Sequence, residues 1–275
     1  MRRIIFFRWL KLIILLYSVI GIAFYYLQDK ILFHPKKLPD DYIFSFDYPF
    51  KELTIPVNSK SSISILQFLP TDSVRKGVIL YLHGNRENIE RYAPMAPLMT
   101  KSGYEVWMID YPGFGKSKGK FDEKTLYEWT LQLYKLAEPR YSPDSIIIYG
   151  RSLGTGLAAQ LASIRNCKQL ILETPYYDFR SIVRKWLPVY PLNRMIPFEL
   201  PTAKYLEKVD VPVTIFHGTE DGVIPYNNSA RLKEVLKPNA LYITVEGGSH
   251  NDLFEQENGK FKFPMCIQTL DSLLK

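Results

Sequence analysis

The chain has 275 residues, of which 47% are hydrophobic and 14% aromatic, a composition that indicates a folded protein with a sizeable core and excludes a disordered one. The net charge of +7 lies mainly at the start, because residues 1–38 carry +6 and the remainder carries +1. This distribution argues against a nucleic-acid partner, since phosphate binding requires a basic face on the folded domain. Two cysteines, Cys167 and Cys266, are too few for a disulfide scaffold or a thiolate zinc site.

The first predicted element is an uncharged apolar segment at residues 12–27, which follows four basic residues. With Trp9 and Leu10 it approaches the roughly 20 residues that cross a bilayer, so we predict a membrane anchor over residues 1–29. A cleaved signal peptide is the main alternative, and a buried core helix is a further one. The apolar run continues past the small residues near Gly21, which favours the anchor. The positive-inside rule places the N-terminus in the cytoplasm and the domain outside it.

A connector at residues 30–50 is rich in proline and aromatic residues, and we expect it to pack along the surface of the domain. The domain itself is predicted at 51–275. It opens with two strand patterns at 52–57 and 63–69, and the turn residues between them indicate an antiparallel hairpin.

The remainder alternates apolar strand patterns with helical spacings, which predicts an α/β fold. The predicted strands lie at 78–82, 106–110, 146–149, 170–173, 213–217 and 241–245. Most are unbroken apolar runs, which is typical of a parallel sheet covered by helices on both faces. The proline-rich interval 175–201 interrupts this rhythm, and we interpret it as an irregular excursion over the top of the sheet.

Chemistry in such a fold gathers at the carboxyl ends of the strands. The strand at 146–149 is followed by Gly150-Arg151-Ser152-Leu153-Gly154, in which small residues flank a serine in a sharp strand-to-helix turn. The helix N-terminus there would face a developing oxyanion. The pattern predicts Ser152 as a nucleophile, with an ordinary helix-capping serine in a glycine-rich turn as the alternative.

A serine nucleophile needs an imidazole base and a carboxylate that fixes the imidazole tautomer. Of the four histidines, His250 follows the last strand and can reach across the top of the sheet, although a structural histidine is the alternative. Asp221 follows the strand at 213–217 and is the better candidate acid, with a turn-forming aspartate as its alternative. Asp178 is its rival.

These residues stand in the order Ser152, Asp221, His250, together with the sequences Leu-Tyr-Leu-His-Gly-Asn at 80–85 and Asp-Tyr-Pro-Gly-Phe-Gly-Lys-Ser at 110–117. The set resembles the α/β-hydrolase superfamily and is most similar to its membrane-anchored abhydrolase branch, which includes protein depalmitoylases and their bacterial relatives. The resemblance implies the fold and the roles of nucleophile, acid and base for the three residues.

The resemblance also implies an oxyanion hole made of the backbone N–H groups of Leu153 and of Asn85 or its neighbour Arg86. The chain departs from the eukaryotic depalmitoylases in having no cysteine before Cys167, so a peptide anchor replaces their lipidated cysteine cluster.

The sequence therefore predicts a membrane-tethered serine hydrolase that cleaves a small-molecule or lipid acyl ester or thioester and uses no cofactor and no metal. A peptidase acting on short peptides and a non-catalytic binding protein are the alternatives. The aromatic residues of 175–201 could line an acyl groove or simply pack in the core. The basic residues there could attract anionic head groups or form a solvated face, and they are Arg180, Arg184, Lys185 and Arg194.

Overall fold

The computed structural model describes residues 2–71 and 75–275. In chain order the strands are β1 (His34–Pro35), β2 (Phe50–Asn58), β3 (Ser61–Phe68), β4 (Gly77–Leu82), β5 (Arg86–Glu87), β6 (Tyr104–Ile109), β7 (Ile146–Arg151), β8 (Gln169–Glu173), β9 (Val213–Gly218), β10 (Leu241–Val245), β11 (Gln256–Glu257) and β12 (Lys260–Phe261). The helices are α1 (Arg2–Leu32), α2 (Ile89–Tyr92), α3 (Ala96–Thr100), α4 (Glu123–Ala137), α5 (Leu153–Ala162), α6 (Phe179–Arg184), α7 (Leu192–Met195), α8 (Thr202–Leu206), α9 (Tyr226–Ala230) and α10 (Pro264–Leu273).

Within the described residues, one central sheet has the strand order β10-β9-β8-β7-β4-β6-β3-β2. The strands from β10 to β6 in that order run parallel to their neighbours, while β2 with β3 and β3 with β6 are antiparallel. The predicted parallel sheet and its opening antiparallel pair are confirmed, and the predicted strand ends differ from the observed ones by no more than two residues.

The central strands are buried on both faces, which explains their unbroken apolar runs. Alternate residues of β4 enter different apolar clusters, because successive side chains of a strand point to opposite faces. Leu80 and Leu82 pack with α4 and α5 on one face, and Ile79 and Tyr81 pack with α3 and α10 on the other. The sheet is therefore the middle layer of three, and it fixes the positions of the loops at its carboxyl edge.

The connector after α1 is built into the domain more deeply than its composition suggested. Phe33 is only 3% exposed and lies among the aromatic rings of Phe121, Phe179 and Phe198, with ring centroids 4.6, 5.4 and 4.9 Å away. The next two residues, His34–Pro35, form β1 and pair with β5 beside the loop after β4. The start of the connector thus joins the sheet, the excursion at 175–201 and the end of α1.

Replacing Phe33 with Ala should destabilise the domain by about 3–5 kcal/mol, because the change removes a buried ring from a cluster that cannot fully collapse. Urea unfolding of a chain shortened to begin at Lys30, followed by tryptophan fluorescence, measures this. Ile164→Ala is the control: Ile164 is 45% exposed, so its replacement should change the free energy of unfolding by less than about 0.5 kcal/mol. Equal effects of both changes would contradict the packing role of Phe33.

Candidate active site

The turn between β7 and α5 holds Ser152 in a conformation that few side chains adopt. Its φ and ψ are 50° and −117°, so the backbone is strained at this residue. The neighbouring glycines make the turn possible. A Cβ on Gly154 would lie 2.0 Å from the carbonyl oxygen of Leu82, and one on Gly150 would lie 2.6 Å from the carbonyl oxygen of Gly154. The glycine spacing therefore serves a tight approach of α5 to the sheet, as the pattern predicted.

Three of the predicted site residues meet at the carboxyl edge of the sheet. The Ser152 hydroxyl lies 3.0 Å from Nε2 of His250, and Nδ1 of His250 lies 2.7 Å from a carboxylate oxygen of Asp221. In this arrangement Nδ1–H donates to the carboxylate, which leaves the Nε2 lone pair facing the serine hydroxyl. Nε2 of His250 is therefore placed to accept a proton from the Ser152 hydroxyl.

The Asp221 carboxylate is fixed by its own loop. Its side chain is fully buried, and its second oxygen accepts hydrogen bonds from the backbone N–H groups of Val223 and Ile224, at 2.9 and 2.8 Å. These bonds hold the carboxylate in one orientation and compensate its burial. The turn-forming role considered for Asp221 is thus present in the structure together with the contact to His250.

The rival acid and the other histidines have different partners. Asp178 caps α6, where its carboxylate accepts from the Ser181 backbone N–H at 2.8 Å. His34 is exposed on β1. His83 is buried, with Nδ1 donating to the carbonyl oxygen of Gly84 at 2.7 Å, and burial raises the pKa of the neighbouring Asp110 carboxyl.

His217 lies beneath the acid. Its Nε2–H donates to the carbonyl oxygen of Ile224 at 3.0 Å and is 3.5 Å from Asp221. Burial lowers the pKa of His217, which favours the neutral form of its ring. The structure therefore gives each of the two imidazoles near Asp221 a distinct environment.

The two backbone groups proposed for an oxyanion hole belong to Leu153, the residue after Ser152, and to Asn85, in the loop after β4. Leu153 is the first residue of α5, and in the described part of the chain no acceptor is found for its N–H or for that of Asn85. The Arg86 N–H contacts the Tyr92 hydroxyl at 3.4 Å, which makes Asn85 the more available of the two alternatives. The Asn85 side chain donates to the carbonyl oxygen of Leu32 at 2.7 Å, which fixes this loop to the end of α1.

Two cavities of opposite character meet at Ser152 and share Asn85 and Val223. The first is apolar, and the side chains that line it are Leu32, Leu153, Tyr176, Phe179, Ile182, Val183 and Ile224. The second is polar and basic, with Arg86, Arg91 and Arg151 beside His250 and Asn251. A substrate cleaved at Ser152 would therefore have an apolar part on one side of the reacting carbon and a polar part on the other.

Arg151 contacts the residue that follows His250, and sequence reasoning did not single it out. Its guanidinium pairs with Glu173 at 3.1 Å and reaches the carbonyl oxygen of Asn251 at 3.4 Å, next to the base. Its place between Gly150 and Ser152 was the available signal, since a charged residue at the end of a buried strand needs a partner. No sequence pattern indicated that Leu32, the last residue of α1, would line the apolar cavity at Ser152.

A larger cavity of about 820 Å³ lies beside α6 and α8 and includes none of Ser152, Asp221 and His250. Among its charged residues, Glu199 pairs with Arg180 and Lys204 at 3.5 and 3.6 Å. Among residues 2–71 and 75–275, no group of three or more His, Cys, Asp or Glu side chains is placed to hold a metal ion.

Comparison with known proteins shows which family and which folds this chain resembles. A family model described as Hydrolase_4, "Serine aminopeptidase, S33", matches residues 73–197. The alpha/beta hydrolase domain-containing protein 17C of Xenopus tropicalis is 32% identical over 179 residues, which are 64% of this chain and 56% of that protein. The chain thus matches little more than half the length of that relative. The uncharacterized protein YfhR of Escherichia coli O157:H7 is 26% identical over 261 residues, 89% of each chain.

Among solved structures, the Pyrococcus furiosus esterase Pf2001 has the same fold. It superposes with a TM-score of 0.67 at 18% identity and covers 88% of this chain and 98% of its own. The chain has the α/β-hydrolase fold, and in sequence it is similar to members of the α/β-hydrolase superfamily. The resemblance to the abhydrolase type is confirmed. Before the sheet the chain carries a helix, α1, that is long and apolar enough to fit a transmembrane helix.

The buried neutral state of His217 predicts a stability that depends on pH. Because burial lowers the pKa of His217 in the folded chain, the unfolded chain takes up this proton more readily as the pH falls through its ordinary pKa of about 6.5. The free energy of unfolding should therefore fall between pH 7.5 and 5.5, and it should fall less in His217→Gln. Urea unfolding of the chain beginning at Lys30, at both pH values, tests this.

His34→Gln is the matched control, because His34 is exposed. It should leave the pH dependence as it is in the unchanged chain. If the free energy of unfolding depends on pH equally in His217→Gln and His34→Gln, the neutral state of His217 does not contribute to that dependence.

Proposed function

We propose that this chain is a membrane-tethered serine hydrolase that cleaves an acyl ester or thioester through an acyl-enzyme intermediate. The observation that carries the proposal is the continuous chain of hydrogen bonds from the Ser152 hydroxyl to His250, at 3.0 Å, and from His250 to Asp221, at 2.7 Å. These distances fit a nucleophile, its base and the group that orients the base.

In the first step, Ser152 Oγ attacks the carbonyl carbon while Nε2 of His250 takes its proton. The buried Asp221 carboxylate stabilises the imidazolium that forms. The oxygen of the tetrahedral intermediate is stabilised by the N–H groups of Leu153 and Asn85, assisted by the N-terminus of α5. The intermediate then collapses, and the imidazolium gives its proton to the departing alcohol or thiol.

In the second step, water attacks the acyl-Ser152 ester and His250 again acts as base. The second tetrahedral intermediate uses the same N–H groups, and its collapse releases the carboxylic acid and returns the proton to Ser152. The apolar cavity lined by Leu32, Phe179 and Val183 fits the acyl part, and the basic cavity fits the leaving group. The proposed chemistry employs no cofactor and no metal.

The description of the matching family model favours one second candidate, an aminopeptidase. An aminopeptidase must bind the positive α-amino group of its substrate near the scissile bond, and a carboxylate is the usual partner for such a charge. The polar cavity at Ser152 is instead lined by Arg86, Arg91 and Arg151, which repel a cation. This electrostatic difference supports the esterase over the peptidase.

We propose α1 as the tether. Large apolar side chains are exposed at most positions from Ile4 to Leu27, which suits lipid rather than water. The basic residues before the apolar segment favour a cytoplasmic N-terminus and an extracytoplasmic domain.

The first functional prediction concerns Ser152, His250 and Asp221. Ser152→Ala and His250→Ala should each lower kcat by about 10³–10⁶ for a p-nitrophenyl ester, and the double variant should be little worse because the residues act as a unit. Asp221→Asn should lower kcat by about 10⁴, since the amide favours the wrong imidazole tautomer. Labelling by a fluorophosphonate probe should be lost in Ser152→Ala.

Asp178→Asn is the control for the acid, because its side chain caps α6 and faces no imidazole. It should keep activity within about threefold, with any stability loss near that of a weakened helix cap. Normal turnover by Ser152→Ala would refute the proposed chemistry, and a larger loss in Asp178→Asn than in Asp221→Asn would refute the proposed acid. Faster cleavage of aminoacyl amides than of esters would favour the peptidase.

The second functional prediction concerns the tether. The full chain should remain in the membrane pellet after high-salt and carbonate washes, because salt screens charges but does not weaken apolar burial. The chain beginning at Lys30 should be soluble and should still hydrolyse short esters, since the proposed catalytic residues lie in the domain.

Two outcomes would change the proposed topology. Recovery of a mature protein beginning at Phe24 would show a cleaved signal peptide in place of an anchor. Protection of the domain from protease added to intact cells would place it in the cytoplasm, whereas digestion is the expected result.

A further inference from the structure

The excursion at 175–201 is bound to the apolar helix through a short loop, residues 186–192, which we call the 186–192 loop. The rings of Tyr17 and Tyr190 are stacked, with centroids 4.5 Å apart and planes within 1° of parallel. The Tyr190 hydroxyl donates to the carbonyl oxygen of Tyr17 at 2.8 Å, and the Tyr17 hydroxyl donates to that of Val189 at 3.3 Å. A Cβ on Gly21 would lie 2.8 Å from the Tyr190 ring, so the glycine permits this contact.

The position of these contacts along α1 decides where the loop lies. Tyr17 precedes Leu27, the end of the uncharged run, by ten residues or about 15 Å of helix. If the bilayer ended before Tyr17, residues 2–16 alone would have to span it. That part is only about 22 Å long and contains four basic residues, whereas the hydrocarbon layer is about 30 Å thick. The loop therefore contacts α1 at a depth that the bilayer itself occupies.

The surface of the 186–192 loop suits that depth. Its sequence, Trp-Leu-Pro-Val-Tyr-Pro-Leu, has no charged residue, and Trp186 and Val189 are 69% and 70% exposed. Basic residues flank it on both sides, as is usual at the level of anionic head groups. They are Arg184, Lys185 and Arg194.

The backbone of the loop is also prepared for a medium that offers few hydrogen bonds. The N–H groups of Trp186 and Leu187 donate to the carbonyl oxygen of Val183 at 2.9 and 3.1 Å. Tyr190 N–H donates to Leu187 at 3.3 Å and Leu192 N–H donates to Tyr190 at 2.9 Å, while the two prolines have no N–H. Of the five N–H groups in the loop, four are thus bonded and that of Val189 has no acceptor among the described residues. The bonded groups and the exposed apolar side chains lower the cost of contact with lipid.

We propose that the 186–192 loop is inserted in the near leaflet of the bilayer beside α1, with Trp186 and Val189 among the lipids, and that the acyl chain reaches Ser152 from the lipid along this contact. The inference rests on the proposed function and narrows its substrates to membrane-resident acyl esters and thioesters. The route is short in sequence and space. Ile182 and Val183, which lead into the loop, line the apolar cavity at Ser152 together with Leu32, the last residue of α1.

Tryptophan quenching tests the insertion without reference to catalysis. The full chain is reconstituted in phosphatidylcholine–phosphatidylglycerol vesicles whose acyl chains are brominated. In Trp9→Phe, Trp186 is the exposed tryptophan, because Trp107 and Trp129 are 0% and 2% exposed. Brominated lipid should quench the emission of Trp9→Phe, aqueous iodide should not, and the added change Trp186→Phe should abolish the lipid quenching.

Two variants separate the loop from the tether. Trp186→Phe keeps Trp9 and reports on α1 alone, and Ile164→Trp in the double-Phe background supplies a tryptophan at the far end of α5 that iodide should quench. Lipid quenching of Trp9 but not of Trp186 would overturn the inserted loop and leave the tether intact. Quenching of neither would overturn the tether, and the inserted loop with it.

Activity tests the route of the acyl chain. Val189→Asp places a carboxylate in the near leaflet, so the ratio of kcat/KM for a long-chain ester in vesicles to that for a short soluble ester should fall about tenfold. Ile164→Asp should leave the ratio unchanged. An unchanged ratio in Val189→Asp would overturn the route. Ser152→Ala tests the proposed function separately, since it should abolish cleavage of the long-chain and the short ester alike, whereas Val189→Asp should still cleave the short ester.

Discussion

The close approach of α5 to the end of β4 is the contact on which the rest of the site depends. No side chain separates Gly154 from the carbonyl oxygen of Leu82, so the first turn of the helix lies directly against the sheet edge. This position forces Ser152 into a positive φ and lifts its hydroxyl toward His250. It also brings the first N–H groups of α5 beside the loop that carries Asn85. A methyl group at position 154 would separate these groups from one another.

The parts of this arrangement that could be predicted from sequence are those with local causes. Strands buried on both faces appear as unbroken apolar runs, and a strained turn requires glycine at fixed spacing. The sheet and the sharp turn at Ser152 could therefore be predicted from the sequence. The sequence favoured Asp221 over Asp178 but did not decide between them, because both follow strands that end at the same edge of the sheet. Only the folded chain shows that one carboxylate meets an imidazole and the other caps α6.

Contacts between residues distant in sequence left no local signal. Tyr17 and Val189 are 172 positions apart, and neither pattern indicates that an apolar helix and an irregular excursion pack together. Phe33 was assigned to a connector along the surface, yet three rings from two later segments enclose it. Composition describes how apolar a segment is, but packing partners follow from topology, which brings the end of α1 to the carboxyl edge of the sheet.

The hydrogen bond from the Asn85 side chain to the carbonyl oxygen of Leu32 joins α1 to the framework of the candidate site. The last carbonyl groups of a helix have no partner within it, and Asn85 satisfies one of them. β1 adds backbone pairing between the same two segments. An unrelated helix in place of α1 would therefore have to end at the same residue and present a carbonyl oxygen at the same point. In this chain, α1 and the loop that carries Asn85 therefore cannot be exchanged independently of each other.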